Sequence, residues 1–237
     1  MIDRHTVAFV SGANRGLGAQ FVACLLARGA GRVYAASRTD QTGFDDARVI
    51  PVTLDITDDD SVAHAARNAT DTTLLINNAG INRHTGFLAP HAMDDARAEM
   101  DVNYFGTGRM ARAFAPSLIE RKGAIFNVLS ILARVSLPAM GSLCASKAAA
   151  LRRTESLRAE LMQHGVRVFA ALPGAIDTNM SRGFEGPKLD PAATADAALE
   201  ALAGDAYEVY IGSMAQGLAH GLALERAATQ AQLLSKS

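Results

Sequence analysis

The chain has 237 residues, close to the upper size for one hydrophobic core, with 49% hydrophobic and 20% charged residues. A formal net charge of -1 argues against broad attraction to nucleic acid or an anionic membrane surface, and no apolar run approaches the ~20 residues that span a bilayer. Met1–Thr6 is polar and leads straight into a strand-like run, unlike a secretory signal, and two cysteines, Cys24 and Cys144, make no disulfide framework, so a cytoplasmic protein is expected.

Short β-rich runs alternate with longer helical patterns. Val7–Ser11 reads as a buried strand, and Leu17–Arg28 as a helix with Phe21, Leu25 and Leu26 on its inner face. Strands follow at Arg32–Ser37 and Val49–Leu54, a short helix at Ser61–Ala69, and a strand at Leu74–Asn77. Met93–Arg121 reads as one long, bent helix, Ala124–Leu129 as a fifth strand, and Ser142–Gln163 as an Ala- and Leu-rich helix. Val166–Leu172, helix Pro191–Ala203 and a last strand Glu208–Ile211 complete the pattern. This order predicts an α/β fold, a doubly wound parallel sheet with helices on both faces. Right-handed crossovers gather the loops after the strand ends along one ligand-binding edge. No internal repeat interrupts it, so residues 1–237 are expected to form a single domain. The loosest segment, 177–190, holds Gly183, Gly186 and Pro187 and is expected to act as a lid.

After the first strand comes Ser11-Gly12-Ala13-Asn14-Arg15-Gly16-Leu17-Gly18. Gly12 permits a sharp turn off the strand. Gly16 and Gly18 let backbone approach a pyrophosphate at the positive end of the following helix. The spacing resembles the T-G-x-x-x-G-x-G loop of the short-chain dehydrogenase/reductase family, with Ser11 in place of Thr. Four further motifs in the same order carry the resemblance: Asp55-Ile56 after the third strand, Asn77-Asn78-Ala79-Gly80 after the fourth, Asn103 in a helix, and Pro173-Gly174-Ala175-Ile176-Asp177-Thr178 after the sixth. The resemblance implies a Rossmann-type sheet of order 3-2-1-4-5-6-7. It implies cofactor contacts from Gly12, Asn14, Arg15, Gly16, Leu17, Gly18, Arg38, Asp55, Ile56, Asn78, Ala79, Gly80, Lys147, Pro173, Gly174, Ile176 and Thr178.

The residues after the second strand set the dinucleotide. Ala36-Ser37-Arg38-Thr39 has no acid at the strand end, and Asp40 comes late. Arg38 and Arg15 suit a 2′-phosphate through fixed charge and forked donors, so NADP(H) is expected over NAD(H). The bland alternative is two solvated surface arginines. The six histidines form no ligand-spaced pair, and no metal is expected.

The family's chemistry is hydride transfer between nicotinamide and a carbonyl carbon, assisted by a serine, a tyrosine, a lysine four residues after it, and an asparagine. Ser130, Lys147 and Asn103 match three of them. Four residues before Lys147 stands Leu143, and none of Tyr34, Tyr104, Tyr207 and Tyr210 has a lysine four residues on. Ser142 and Cys144 flank the position but point elsewhere, since neighbouring helix residues differ by about 100°. Losing a general acid typically costs ~10²–10⁴ in rate. Three readings stay open: a reductase with a substituted site, an active enzyme whose proton comes from Lys147 or from a water held by Ser130 and Asn103, and an NADP(H)-binding protein without turnover, acting by binding or assembly. The bland alternatives are a capping serine, a surface lysine and a helix-bend asparagine. The substrate pocket is expected to use Ser130, Leu132, Pro138, Leu143, Met180 and Phe184, a mostly apolar lining that favours a hydrophobic ketone, aldehyde or alcohol. A homodimer or homotetramer is implied by the resemblance.

Overall fold

The computed structural model describes residues 2–39 and 43–234; Asp40 lies outside them. Seven parallel strands form one sheet in the order β3-β2-β1-β4-β5-β6-β7, the order the resemblance implies. They are β1 Val7–Ser11, β2 Arg32–Ser37, β3 Val49–Thr53, β4 Leu74–Asn77, β5 Ala124–Val128, β6 Arg167–Pro173 and β7 Glu208–Ile211. Each strand end falls within a residue of the sequence expectation.

Both sheet faces are covered, so the strands are apolar on both sides rather than alternating with polar residues. The alternation instead divides side chains between two cores. Ala8, Val10, Val33, Ala35, Ile76, Phe126 and Phe169 point to the face covered by α1 (Gly16–Ala27). Ala195, Ala198 and Leu199 of α6 (Pro191–Glu200) complete that core. Phe9, Tyr34, Leu75, Ile125 and Val168 point to the other face, against Val62 and Ala65 of α2 (Asp59–Asn68).

Helix α2 begins two residues before the expected Ser61. Asp58 caps it by accepting from the Asp60 N–H at 3.1 Å. The Ser61 hydroxyl instead accepts the Asp55 N–H at 3.1 Å, tying the end of β3 to the helix.

The long helix expected over 93–121 is present but not uniform. α3 (Ala92–Glu99) runs into a wider, π-type segment, Met100–Gly106, and then into α4 (Thr107–Arg121). The wider turns of this segment interrupt the regular α pattern. α5 (Gly141–Met162) is the longest helix among the described residues. Two helices had no sequence expectation: α7 (Ser213–Leu224) and α8 (Arg226–Leu234). Gly217 and Gly221 lower the helix propensity of α7 and blur its apolar face. Gly221 has a packing reason, because a Cβ there would lie 2.8 Å from Thr229 Oγ1 in α8. No helix among the described residues is long and apolar enough to cross a membrane.

Candidate active site

At the end of β1 the chain turns through Gly12 (φ +67°) and Gly16 (φ +55°), backbone states that favour glycine. Gly18 needs its missing side chain for a different reason. A Cβ there would collide with the Gly12 carbonyl oxygen and sit 2.6 Å from Asn78 Nδ2. The loop is stapled to the segment after β4. Ser11 Oγ accepts the N–H groups of Asn78 and Ala79, both at 3.1 Å. Asn78 Nδ2 donates to the carbonyls of Ser11 (3.0 Å) and Gly12 (3.2 Å). Asn14 and Arg15 stand exposed at the mouth, while Leu17 turns inward to the core. Helix α1 starts with no side-chain cap and no acidic residue in its first turn, so its positive end faces the loop unopposed. Thr178 closes the other side, its Cγ2 3.4 Å from where a Gly16 Cβ would be.

Arg38 is exposed at the end of β2. Its neighbour across the sheet edge is Asp55, whose Oδ1 accepts both the N–H (2.9 Å) and the hydroxyl (2.7 Å) of Thr57. Those bonds, and secondarily the Arg38 charge, hold the Asp55 carboxyl below its usual range. Ile56 is buried against Gly106 of the π-type segment, where a Cβ would lie 2.8 Å from its Cγ1.

Asn77 and Asn78 diverge because successive strand residues face opposite ways. Asn77 Nδ2 donates to Asn127 Oδ1 at 2.9 Å, and Asn127 Nδ2 donates to Thr154 Oγ1 at 3.0 Å. This buried polar chain links β4, β5 and α5 beneath the site.

At the end of β5, Ser130 Oγ accepts the Leu132 N–H at 3.1 Å. The capping role is therefore real, but the hydroxyl proton is not used by that bond. Lys147 is no surface lysine. It is 6% exposed, and its Nζ donates to the Val128 carbonyl at 3.2 Å. Burial first, and then the Arg153 charge, bring its pKa from 10.5 to about 8, while Glu99 pulls the other way.

Asn103 lies in the π-type segment, where the regular helix is interrupted. It is also a tie. Its Oδ1 accepts the Ile81 N–H at 2.9 Å, and its Nδ2 donates to the Ile81 carbonyl and to Ser146 Oγ, both at 3.0 Å. Gly80 sits where these groups converge. A Cβ on it would lie 3.1 Å from Asn103 Oδ1, 3.5 Å from Lys147 Nζ and 3.9 Å from Met180 Cε.

Leu143 is 4% exposed, one turn before Lys147, and its carbonyl accepts from the Ser146 hydroxyl at 2.9 Å. Leu132 is half-buried and Pro138 exposed. Phe184 is more than a third exposed, with its ring against Gly186 of its own loop, whereas Met180 reaches the site. The base of the 177–190 loop is pinned where Ile176 bridges Leu189: the Asp177 N–H donates to the Leu189 carbonyl (2.9 Å) and the Leu189 N–H to that of Ala175 (2.8 Å). Pro173 is buried, and the Gly174 N–H donates to the Ile211 carbonyl at 3.1 Å, where α7 covers it through Met214.

Three residues around this cluster carried no sequence expectation. Ser146 precedes Lys147 and completes the Asn103 tie. Arg153 of α5 donates to the Tyr104 carbonyl and, at 2.6 Å, to Thr107 Oγ1, holding the π-type segment against α5. Glu99, four residues before Asn103, is 1% exposed. Only the spacing from Asn103 hinted at Glu99, and nothing in the sequence pointed to Arg153.

A doubly wound sheet with a glycine turn after its first strand and a buried lysine bonded to its fifth defines a dinucleotide-dependent oxidoreductase class. The chain belongs to the short-chain dehydrogenase family, whose model matches residues 6–187. In structure it is similar to a short-chain dehydrogenase from Burkholderia cenocepacia in complex with NADP, with 56% identity, 97% of each chain covered and a TM-score of 0.94. In sequence it is 32% identical over 232 residues to 1-deoxy-11-beta-hydroxypentalenate dehydrogenase of Streptomyces avermitilis, covering 89% of this chain and 86% of that one. It is 33% identical over 198 residues to mouse dehydrogenase/reductase SDR family member 7B, covering 75% of this chain and 60% of that protein. The chain thus spans somewhat under two thirds of that relative's length.

Proposed function

We propose that this protein is an NADP(H)-dependent carbonyl reductase or alcohol dehydrogenase acting on a small hydrophobic ketone, aldehyde or alcohol, with Leu143 at the position where the family keeps its tyrosine. The observation that carries the reading is the buried Lys147, its Nζ held on the Val128 carbonyl beside Gly80 and Asn103. Burying a lysine is costly, and a site that shifts its pKa toward neutrality is where acid–base work is done.

The residues fit the cofactor. Gly12 and Gly16 turn the backbone through left-handed states and Gly18 lets the loop close on the Gly12 carbonyl, so the start of α1, with no acidic residue in its first turn, would face a phosphate. Asn14, Arg15, Leu17, Asn78, Ala79, Ile176 and Thr178 would border the phosphates and nicotinamide. Arg38 and Arg15 would hold the 2′-phosphate, and Asp55 and Ile56 the adenine. NADP in the 56% identical neighbour supports this choice. When bound, the cofactor supplies or takes a hydride at the carbonyl carbon.

The chain's own residues handle the oxygen. Ser130, with its hydroxyl proton unused, would donate to the carbonyl. Leu143 has no proton to give, so the Lys147 ammonium is the acid. A group titrating near pH 8 is mostly protonated at neutral pH and still a competent donor. Met180 would cover the site from the 177–190 lid. The reading includes a cytoplasmic location, supported by the free Cys24 and Cys144, and a homodimer or homotetramer. The half-exposed Phe105 of the π-type segment and the partly exposed Ala148 and Ala149 of α5 support assembly through these helices. The apolar, buried Leu143 favours the second reading, an NADP(H)-binding protein without turnover.

The test compares NADPH oxidation by the wild type and Leu143→Tyr on a panel of apolar carbonyls. Turnover by the parent is expected, and a gain of ~10²-fold or more in the variant marks the slot as an emptied acid position. No turnover by either, with NADPH still raising the melting temperature, leaves the binding reading.

A further inference from the structure

One buried charged group in this region has no part in the chemistry above. Glu99 is 1% exposed at the last residue of α3. Its Oε1 accepts the Arg83 N–H at 2.7 Å, and its Oε2 has no hydrogen-bond partner among the described residues. A carboxylate oxygen left without a partner in the interior is costly unless an opposite charge lies near. The surroundings supply one. Glu99 stands one helical turn before Asn103, and it holds the Arg83 N–H as Asn103 holds that of Ile81; a Cβ on the adjoining Gly80 would lie 3.1 Å from Asn103 Oδ1 and 3.5 Å from Lys147 Nζ, which puts the carboxylate on the same side of this loop as the ammonium. From the loop after β4 it meets the Arg83 backbone, while the Arg83 side chain is turned to Asp95 at 3.8 Å. Lys147 is faced by Glu99 and by Arg153, whose guanidinium lies over the Tyr104 ring, 4.9 Å from its centre.

We propose that Glu99 is the counter-charge of Lys147, a positioning residue that keeps the ammonium protonated against burial and the repulsion of Arg153. In a short-chain dehydrogenase with a tyrosine, that amine would tune a neighbour and contact the cofactor. With Leu143 in the slot, Lys147 itself must carry the proton, and its protonation becomes the quantity to be held. In carbonyl reduction an N–H bond of the ammonium breaks as the O–H bond of the product alcohol forms. The neutral amine then takes its next proton from water, and Glu99 makes that return favourable. This rests on the carbonyl-reductase reading for its use, but not for its electrostatics.

The test is a pH titration followed by NMR of the full chain labelled at lysine Cε. The lysines are Lys122, Lys147, Lys188 and Lys236, so signals are few. Lys147 is expected to titrate near pH 8 in the wild type. In Glu99→Gln, which retains an acceptor for the Arg83 N–H, its midpoint should fall by about one pH unit, while Glu99→Asp keeps it near the wild-type value. An unmoved midpoint in Glu99→Gln, or an equal fall in both variants, overturns the proposal. A second measurement needs no variant. The Glu99 carboxyl carbon of the wild type should show an inflection at the Lys147 midpoint, and a flat signal there overturns it. If the midpoint moves as expected yet no protein oxidises NADPH with any carbonyl, the counter-charge stands and the reductase reading falls.

Discussion

The glycine turn after β1 and the cluster around Lys147 lie along the same sheet edge but are built on opposite principles. The turn works by omission: Gly12 and Gly16 adopt left-handed backbone, and Gly18 leaves room for the Gly12 carbonyl. Its charged residues, Arg15 and Arg38, stand in solvent. The Lys147 cluster works by enclosure. Lysine, glutamate and asparagine are each nearly inaccessible, and each depends on a partner from another element. Steric rules therefore govern the first region, and a balance of buried charges governs the second. The first should fail by collision and the second by titration.

The largest effect is expected from Gly18→Ala. Its Cβ would drive into the Gly12 carbonyl, so the rise in melting temperature with NADPH should vanish. A retained shift would show that the turn yields more easily than its geometry implies.

Arg38→Ala tests the exposed charge of the same region. A hydrogen bond to a charged group contributes about 1.5–3 kcal/mol, so NADPH affinity should fall roughly 10–100-fold while NADH affinity holds. Titration calorimetry with both dinucleotides reads this directly, and equal losses for both would reject a 2′-phosphate contact.

The buried cluster should respond to pH instead. In the proposed mechanism the protonated Lys147 is the donor in reduction, so reduction should fall as pH rises through about 8, and alcohol oxidation should rise over the same range. A reduction rate flat from pH 6 to roughly 10 would remove Lys147 as the acid.

The smallest effect sharpens the steric half of the comparison. Lys122, which ends α4, has φ +49°, the left-handed state of Gly12 and Gly16, yet carries a side chain. Lys122→Gly should stabilise the fold by about 1 kcal/mol, raising the melting temperature by roughly 2–4 °C. No gain would mean that its packing against Gly165 offsets the strain.

Much of this was legible from local pattern. Strand positions, the doubly wound class and the glycine turn follow from short apolar β-rich runs set between helical 3.6-residue patterns and from where glycine stands, because short-range sterics act between residues close in the chain, whereas the strand order was implied by the family resemblance. Other features were not. Glycines hid α7, and packing on α8 is the reason for one of them, Gly221. Ser61 looked like a helix start because hydroxyls cap helices, but Asp58 took that place and left Ser61 to bind β3.

The sequence by itself determined the α/β pattern, the glycine turn, and the presence of Ser130, Asn103 and Lys147 with a leucine four residues before the lysine. Only the tertiary structure decided what Lys147 is. Its burial comes from β5 and the segment after β4, its carbonyl partner from Val128, and its opposing charges from Glu99 and Arg153. Charge interactions and desolvation depend on distance in space and on what excludes water, and neither is written in the spacing of residues along one helix.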